Sequence, residues 1–406
     1  MKIAYITAHA PFGTDETFVL DEMLAVVEIG TQIIIIPRNP PKKVFHAKGE
    51  LLLRHSVWLP LINGQIVFSF LKALITKPRL FSVLWMIIRY SRSLIIILKN
   101  LAVVPKAVHI ASLLYRAKVE HIHVHWGSTT ATMGWVASEL TGIPWSATLH
   151  RWDIAEDNLL KIKVQRAAFI RCIAEDGRRE VLNITGNEYR NNVFVLYMGV
   201  RLPNIQPVVS MSERSCFTAA CPANFVEKKG HKFLIEAFGI LVKKGFRNLR
   251  CLIIGDGGLE SEIRRQIAEN NLEDIMLLKG RLPNEVLMGM YGNSEIDAVI
   301  LPSIITSDKE REGIPVALME AMAYSIPVIS TDTGGIFELL ADGAGIIVKE
   351  RDSIALADAI ECLIMNSEFA KETAVKGRQR ITDVFNLSQN VGKLLQLINK
   401  SRHPVS

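Results

Sequence analysis

Cysteine is scarce. The 406 residues hold five, an odd number with no Cys-x-x-Cys pair. That excludes a disulfide framework and a cysteine zinc site, and it favours a reduced, cytoplasmic compartment. Long apolar runs are lacking too. The longest stretches without Asp, Glu, Lys or Arg are 121–138, which carries three histidines, and 55–71, which Pro60, Asn63 and Gly64 break. Neither supplies the roughly 20 apolar residues of a spanning helix, so no span is expected, while attachment to a surface stays open. The opening Met-Lys-Ile-Ala-Tyr-Ile-Thr reads as a strand rather than a secretion signal. There is no Gly-x-Gly-x-x-Gly at Gly255-Asp-Gly257-Gly258, which disfavours a dinucleotide oxidoreductase. There is no Asp-x-Asp pair to hold a donor through a metal.

Acidic residues are absent from 51–119, which contains ten basic ones: Arg54, Lys72, Lys77, Arg79, Arg89, Arg92, Lys99, Lys106, Arg116 and Lys118. The same stretch holds Trp58, Phe68, Phe70, Phe81, Trp85 and Tyr90. Basic, aromatic and aliphatic residues together fit an anionic membrane surface. A solvated cationic face over core helices is the plainer alternative. Nucleic acid is not expected as a partner, because its binding face needs less aliphatic content. The net charge of +6 conceals this asymmetry.

What is present is half hydrophobic, at 49%, and arranged as alternating strands and helices. Strands are expected at 2–7, 32–37, 121–125, 146–149, 170–174 and 193–196. A second series is expected at 216–221, 249–254, 275–278, 297–301, 327–330 and 345–348. Residues 51–119 read as helices broken at Pro60, Pro78 and Pro105. Alternation of this kind gives parallel sheets covered on both faces. The expected domains are 1–200, with 51–119 as a membrane-associating segment, and 215–380. A linker at 201–214 joins them, and a helical segment at 381–406 is placed to return to the first domain. Ligands of such sheets bind at the strand carboxyl ends.

Residues 312–320, Glu-Gly-Ile-Pro-Val-Ala-Leu-Met-Glu, follow an expected strand and a polar loop. Pro315 suits the first turn of a helix, whose free N–H groups would face a phosphate or sugar hydroxyl. Two isolated glutamates would read as a helix-start acid and a solvated acid. His121, His123 and His125 alternate along one strand, but no cysteine or carboxylate in the sequence completes a metal set, so no metal is expected. His125, at the strand's carboxyl end, is the site candidate of the three.

The surroundings of the two glutamates decide between these alternatives. The run Glu312 to Ala323, with Pro327-Val-Ile-Ser-Thr331 and Gly334-Gly335-Ile-Phe-Glu338, resembles family-4 retaining glycosyltransferases, with their Glu-x7-Glu signature. Val226-Glu-Lys-Lys229-Gly230-His231, Ile253-Ile-Gly255-Asp256-Gly257 and Asp297 to Ser303 resemble further elements of that family. In the first half, Glu16-Thr17-Phe18 resembles the opening of members that build bacterial surface polysaccharides. His123-Val-His125-Trp and Thr148-Leu-His150-Arg-Trp-Asp153 resemble the family's two histidine elements.

The resemblance implies an α/β GT-B fold, with two Rossmann-like doubly wound parallel-sheet domains facing a central cleft. It implies a retaining hexosyltransferase that moves sugar from a nucleotide-diphosphate donor to a hydroxyl of a saccharide, with no metal or cofactor. Read with the basic apolar segment, it implies a lipid-linked acceptor and a peripheral place at the cytoplasmic face of the inner membrane. Residue by residue, Glu320 would bind the donor ribose. Glu312, with Gly313 and Ile314, would hold the donor sugar. Lys229 would pair with the diphosphate, and Gly255 and Arg281 would lie near the nucleotide. Gly13 would let the first loop approach the phosphate. His150 would act near sugar and phosphate, with His125 and Asp153 on the acceptor side. The family usually has arginine where this chain has Asn224, glycine where it has Ser325, and aspartate where it has Arg201. A degenerate member serving as a saccharide-binding or scaffold subunit is the alternative.

Overall fold

The computed structural model describes residues 1–13, 16–41, 43–204 and 216–402. The chain forms two units, Met1–Met198 with Leu387–Ser406, and Gly199–Asn386. Most of the expected linker lies outside the described residues.

Unit 1 carries β1 (Lys2–Thr7), β2 (Gln32–Pro37), β3 (His121–His125), β4 (Trp145–Leu149), β5 (Phe169–Cys172) and β6 (Val193–Val195). They pair in parallel in the order β2-β1-β3-β4-β5-β6. The strands are Ile/Val-rich because both faces of a parallel sheet are covered. Ala4 and Ile6 of β1 face one apolar cluster, Ile3 and Tyr5 the other. The first cluster takes the helices Leu94–Arg116 and Thr129–Thr141. The second takes Thr17–Glu28 and the final helix Leu387–Arg402, whose Leu387, Val391, Leu394 and Ile398 recur at helical spacing.

Two expectations for residues 51–119 are corrected. Pro105 does not break a helix; it sits inside Leu94–Arg116. A proline there removes one ladder donor, but Val103, Val104, Ala107 and Val108 around it are buried in the core and hold the helix in place. That helix is also long and apolar enough, by length and composition, to cross a membrane. Its charged residues hid this from a search for uncharged runs. One of them, Lys106, is fully buried and donates to the carbonyls of Pro37, Arg38 and Leu59 at 2.6–3.0 Å.

Unit 2 carries β7 (Phe217–Pro222), β8 (Leu249–Ile254), β9 (Met276–Gly280), β10 (Ala298–Leu301), β11 (Val328–Thr331) and β12 (Ile346–Val348). Their parallel order is β12-β11-β10-β7-β8-β9, so the chain starts centrally, builds outward, then crosses back. The order reverses between β7 and β10 here, and between β1 and β3 in unit 1. At such switch points the loops diverge above and below the sheet and leave a crevice at the strand carboxyl ends.

Candidate active site

In unit 2, Lys229 and Glu312 meet at the switch point. Lys229 lies in the turn after β7, and Glu312 in the loop after β10. Lys229 Nζ is 2.9 Å from a Glu312 oxygen, with side chains 17% and 9% exposed. Gly230 makes this approach possible. Its φ of +66° is left-handed, and a Cβ there would fall 1.9 Å from the Pro302 carbonyl. Gly334 does the same on the other side, where a Cβ would stand 2.0 Å from the Glu312 carbonyl. The Gly335 N–H then donates to the Gly313 carbonyl at 3.1 Å.

Gly313 and Ile314 are half-buried beside Pro315, which stands just before the helix Val316–Ala323 rather than in its first turn. That helix start has no side-chain cap. Glu320, further along it, accepts from Asn284 Nδ2 at 2.9 Å. Burial, and then the charge of Glu320, push the Tyr291 hydroxyl well above its usual range. The Gly255 N–H donates to the Gly280 carbonyl at 2.9 Å. Arg281 is paired in fork fashion with Asp256, at 2.7 and 2.9 Å. Asn224 is exposed after β7. His231, next to Gly230, is buried with neither ring nitrogen hydrogen-bonded among the described residues, and burial pushes its pKa down to about 4.

In unit 1 the strand ends carry a buried polar chain. His125 Nε2 lies 2.9 Å from Glu22, and Arg171 donates to the other Glu22 oxygen at 2.5 Å. Arg171 also donates to the carbonyls of Leu196 and Tyr197 at 2.7 and 2.8 Å. Burial works to raise the Glu22 pKa, but Arg171 and His125 overcome it and hold the carboxylate well below its usual range. His125 Nδ1 is 3.5 Å from His150 Nε2. The His150 ring lies tilted by 33° against the Trp126 ring, with centroids 4.3 Å apart, and burial holds its pKa well below the ordinary histidine value.

Gly13 has a φ of +87° and bridges to Val44. The loop leading to it is tied down by Glu16, whose carboxylate accepts from the N–H groups of His9 and Ala10 and from the Trp126 indole.

Asp153, expected on the acceptor side, is 1% exposed. Its carboxylate accepts from the His150 N–H at 3.0 Å, so it fixes the start of the helix Arg151–Glu156 instead of facing outward. Burial pushes its pKa up to about 7 and brings that of nearby Lys163 down to about 7.

The histidine strand does find a carboxylate. Glu22, His123 and His125 place ligand atoms within 4.8 Å of one another. The donors are already engaged, however. Arg171 takes Glu22, and Ser146 and Thr148 take the two nitrogens of His123 at 2.8 and 3.0 Å. The set is a satisfied hydrogen-bond chain and does not fit a metal. Glu22 and Arg171 gave no signal in the sequence, since Glu22 lies 103 positions from His125.

Residues 217–380 match the family of glycosyl transferases group 1. The chain is 33% identical over 214 residues to WcaL of Escherichia coli K12, a glycosyltransferase named for colanic acid biosynthesis, covering 52% of each chain. It is 35% identical to the amylovoran biosynthesis glycosyltransferase AmsK of Erwinia amylovora, over 44% of this chain and 43% of that one. The match thus spans about half the length of these relatives. Among solved structures, Anabaena Alr3699/HepE in complex with UDP superimposes with a TM-score of 0.73 at 15% identity, over 98% of this chain and 100% of that one. A glycosyltransferase from Rickettsia africae gives 0.70 at 16%, over 100% and 99%. At such identities the likeness concerns fold, and the fold of two parallel-sheet units is GT-B, as expected from the motifs.

Proposed function

We propose, from the premise that residues 217–380 form a group 1 glycosyl transferase domain, that the protein is a retaining glycosyltransferase of polysaccharide biosynthesis. It moves a hexose-type sugar from a nucleotide-diphosphate donor to a hydroxyl of a lipid-linked saccharide, at the cytoplasmic face of a membrane. The observation that carries this proposal is the Lys229–Glu312 pair at the β7/β10 switch point, 2.9 Å apart and beside an uncapped helix start. One cation, with free N–H groups nearby, suits a departing diphosphate. One carboxylate beside it suits the hydroxyls of the sugar being moved. Glu320, oriented by Asn284, suits a ribose diol. UDP in the solved HepE complex and the surface-polysaccharide names of WcaL and AmsK support this choice of donor and product.

In the transfer, the bond from the anomeric carbon to the diphosphate oxygen breaks, and a bond to the acceptor oxygen forms on the same face. The acceptor proton passes to the departing phosphate. Lys229 and the helix N–H groups carry the charge that develops there, where preorganised donors act most strongly. No metal or cofactor enters the scheme.

A panel of nucleotide sugars read by thermal shift tests it, because a true donor stabilises the native state in proportion to occupancy. The expected result is stabilisation by one nucleotide-diphosphate sugar, and a product that keeps the donor's anomeric configuration by NMR. An inverted product would overturn retention. Donor binding without any hydrolysis or transfer would favour the scaffold alternative.

A further inference from the structure

A second site lies at the other end of unit 1, on a groove of about 930 Å³ between the helices Gly64–Thr76 and Leu94–Arg116. The second of these helices leads into the start of β3, and Leu140 and Thr141, also lining the groove, precede the start of β4. The groove therefore sits at the amino ends of the strands, whereas His125, His150 and Gly13 follow the carboxyl ends. Phe68, Tyr115 and Leu113 form apolar wall. Lys72, Lys77 and Arg116 line it as cations, and no lining residue is acidic. All three are exposed, and none has an ion pair among the described residues. By contrast Arg92 and Lys99, on the same sequence segment, are paired with Asp157 and Glu156.

Beside the groove the helix Gly64–Thr76 turns an apolar stripe outward. Phe68, Leu71 and Ile75 are spaced three or four apart and are 69%, 54% and 87% exposed. A soluble surface rarely joins such a stripe to three unpaired cations. An apolar stripe enters the acyl boundary, and cations at its edge meet headgroup phosphates.

We infer that the groove bounded by Lys72, Lys77 and Arg116 binds the phosphate headgroup of an anionic phospholipid while Phe68, Leu71 and Ile75 enter the bilayer. This deepens the function proposed above and rests on its membrane-borne acceptor. A phospholipid is favoured over a soluble anion because the cations border exposed apolar surface on one side and apolar wall on the other. The site holds the enzyme at the membrane by the end of unit 1 opposite its strand carboxyl ends.

The test uses the full chain and sedimentation with two vesicles, phosphatidylcholine alone and phosphatidylcholine with phosphatidylglycerol. Wild type should pellet with the second and not the first. Each cation near such a surface contributes about fivefold in partitioning, so K72Q/K77Q/R116Q should bind about a hundredfold more weakly. R54Q/R79Q/R89Q, with the same loss of charge outside the groove, should lose at most about tenfold. Phe68→Ser with Ile75→Ser should weaken binding without changing its dependence on anionic lipid. Equal losses in the two charge variants would replace the groove by a diffuse field and overturn the inference. So would wild type indifferent to phosphatidylglycerol. Thermal shift with the donor should be unchanged in K72Q/K77Q/R116Q. Failure of the lipid site thus leaves the donor site standing, and absence of donor binding in wild type is a separate failure.

Discussion

The strand ends of the two units both gather charged groups, but on opposite terms. In unit 1, Glu22 and Arg171 are each 1% exposed, with every charge answered by protein: Glu22 by Arg171 and His125, Arg171 by two carbonyls besides. In unit 2, Lys229 and Glu312 pair only with each other among the described residues; Glu312 is buried, and Lys229, 17% exposed, keeps some solvent contact. Sealed charges are costly to disturb and cannot exchange partners, so they hold geometry. A half-open pair can trade its partner for a substrate. The first arrangement builds a support beneath His150; the second is the arrangement that the proposed transfer uses.

The contrast predicts how each region breaks. Arg171→Ala leaves a buried carboxylate with its main counter-charge gone, and should lower stability by about 3–5 kcal/mol. Lys229→Ala should cost less, about 1–3 kcal/mol, because water reaches the pair through the part-exposed lysine once it is gone. Urea unfolding of both variants checks this, and equal losses would erase the distinction between support and site.

Next in size is ligand affinity. Lys229→Ala should weaken nucleoside diphosphate binding about 10- to 100-fold by calorimetry, the worth of one charge-assisted hydrogen bond. If it binds normally, the phosphate site lies elsewhere. The two glutamates should separate kinetically. Glu312→Ala should lower kcat if its proposed partner is the reacting sugar, and Glu320→Ala should raise the donor KM.

A pH experiment sharpens the unit 1 side. The pKa of Asp153 is raised by burial from 3.8 to about 7. The native state therefore binds this proton more tightly than the unfolded chain. The stability it contributes is full below about pH 4 and is lost as pH rises to about 7. Asp153→Asn can still accept from the His150 N–H but does not titrate. Relative to wild type it should gain stability steadily between pH 4 and 7, as followed by thermal denaturation. Parallel curves would mean that the carboxylate is not the titrating group.

The smallest effect is expected at Asn224, where the family's arginine is missing. Asn224→Arg would add a second cation near Lys229 and should tighten nucleoside diphosphate binding by less than about tenfold, since the residue is exposed and its charge screened. Weaker binding would show that the turn after β7 does not face the phosphate.

Much of this was legible in the chain. The apolar stretches of β1, β2 and β8 announced themselves because a strand buried on both faces is mostly apolar. Lys229-Gly230 and Gly334-Gly335 could be read beside Glu312 because close backbone contacts tolerate no Cβ, which leaves a glycine in the sequence. The burial of Asp153 was not legible, because a carboxylate beside a histidine looks the same in sequence whether it caps a helix or faces solvent. Pro105 was misread because local propensity forbids what tertiary packing then allows.

The amino-acid sequence by itself determined two parallel-sheet units and which local motifs stand at their strand ends, since periodicity and glycine placement act over a few residues. Only the tertiary structure decided which distant groups share a charge. It brought Glu22 to His125 and Arg171, and Lys229 to Glu312, and it left Lys72, Lys77 and Arg116 without an acid among the described residues. The reason is physical: a buried ion is tolerated only where the fold delivers its partner, and the spacing along the chain places no limit on how far away in sequence that partner lies.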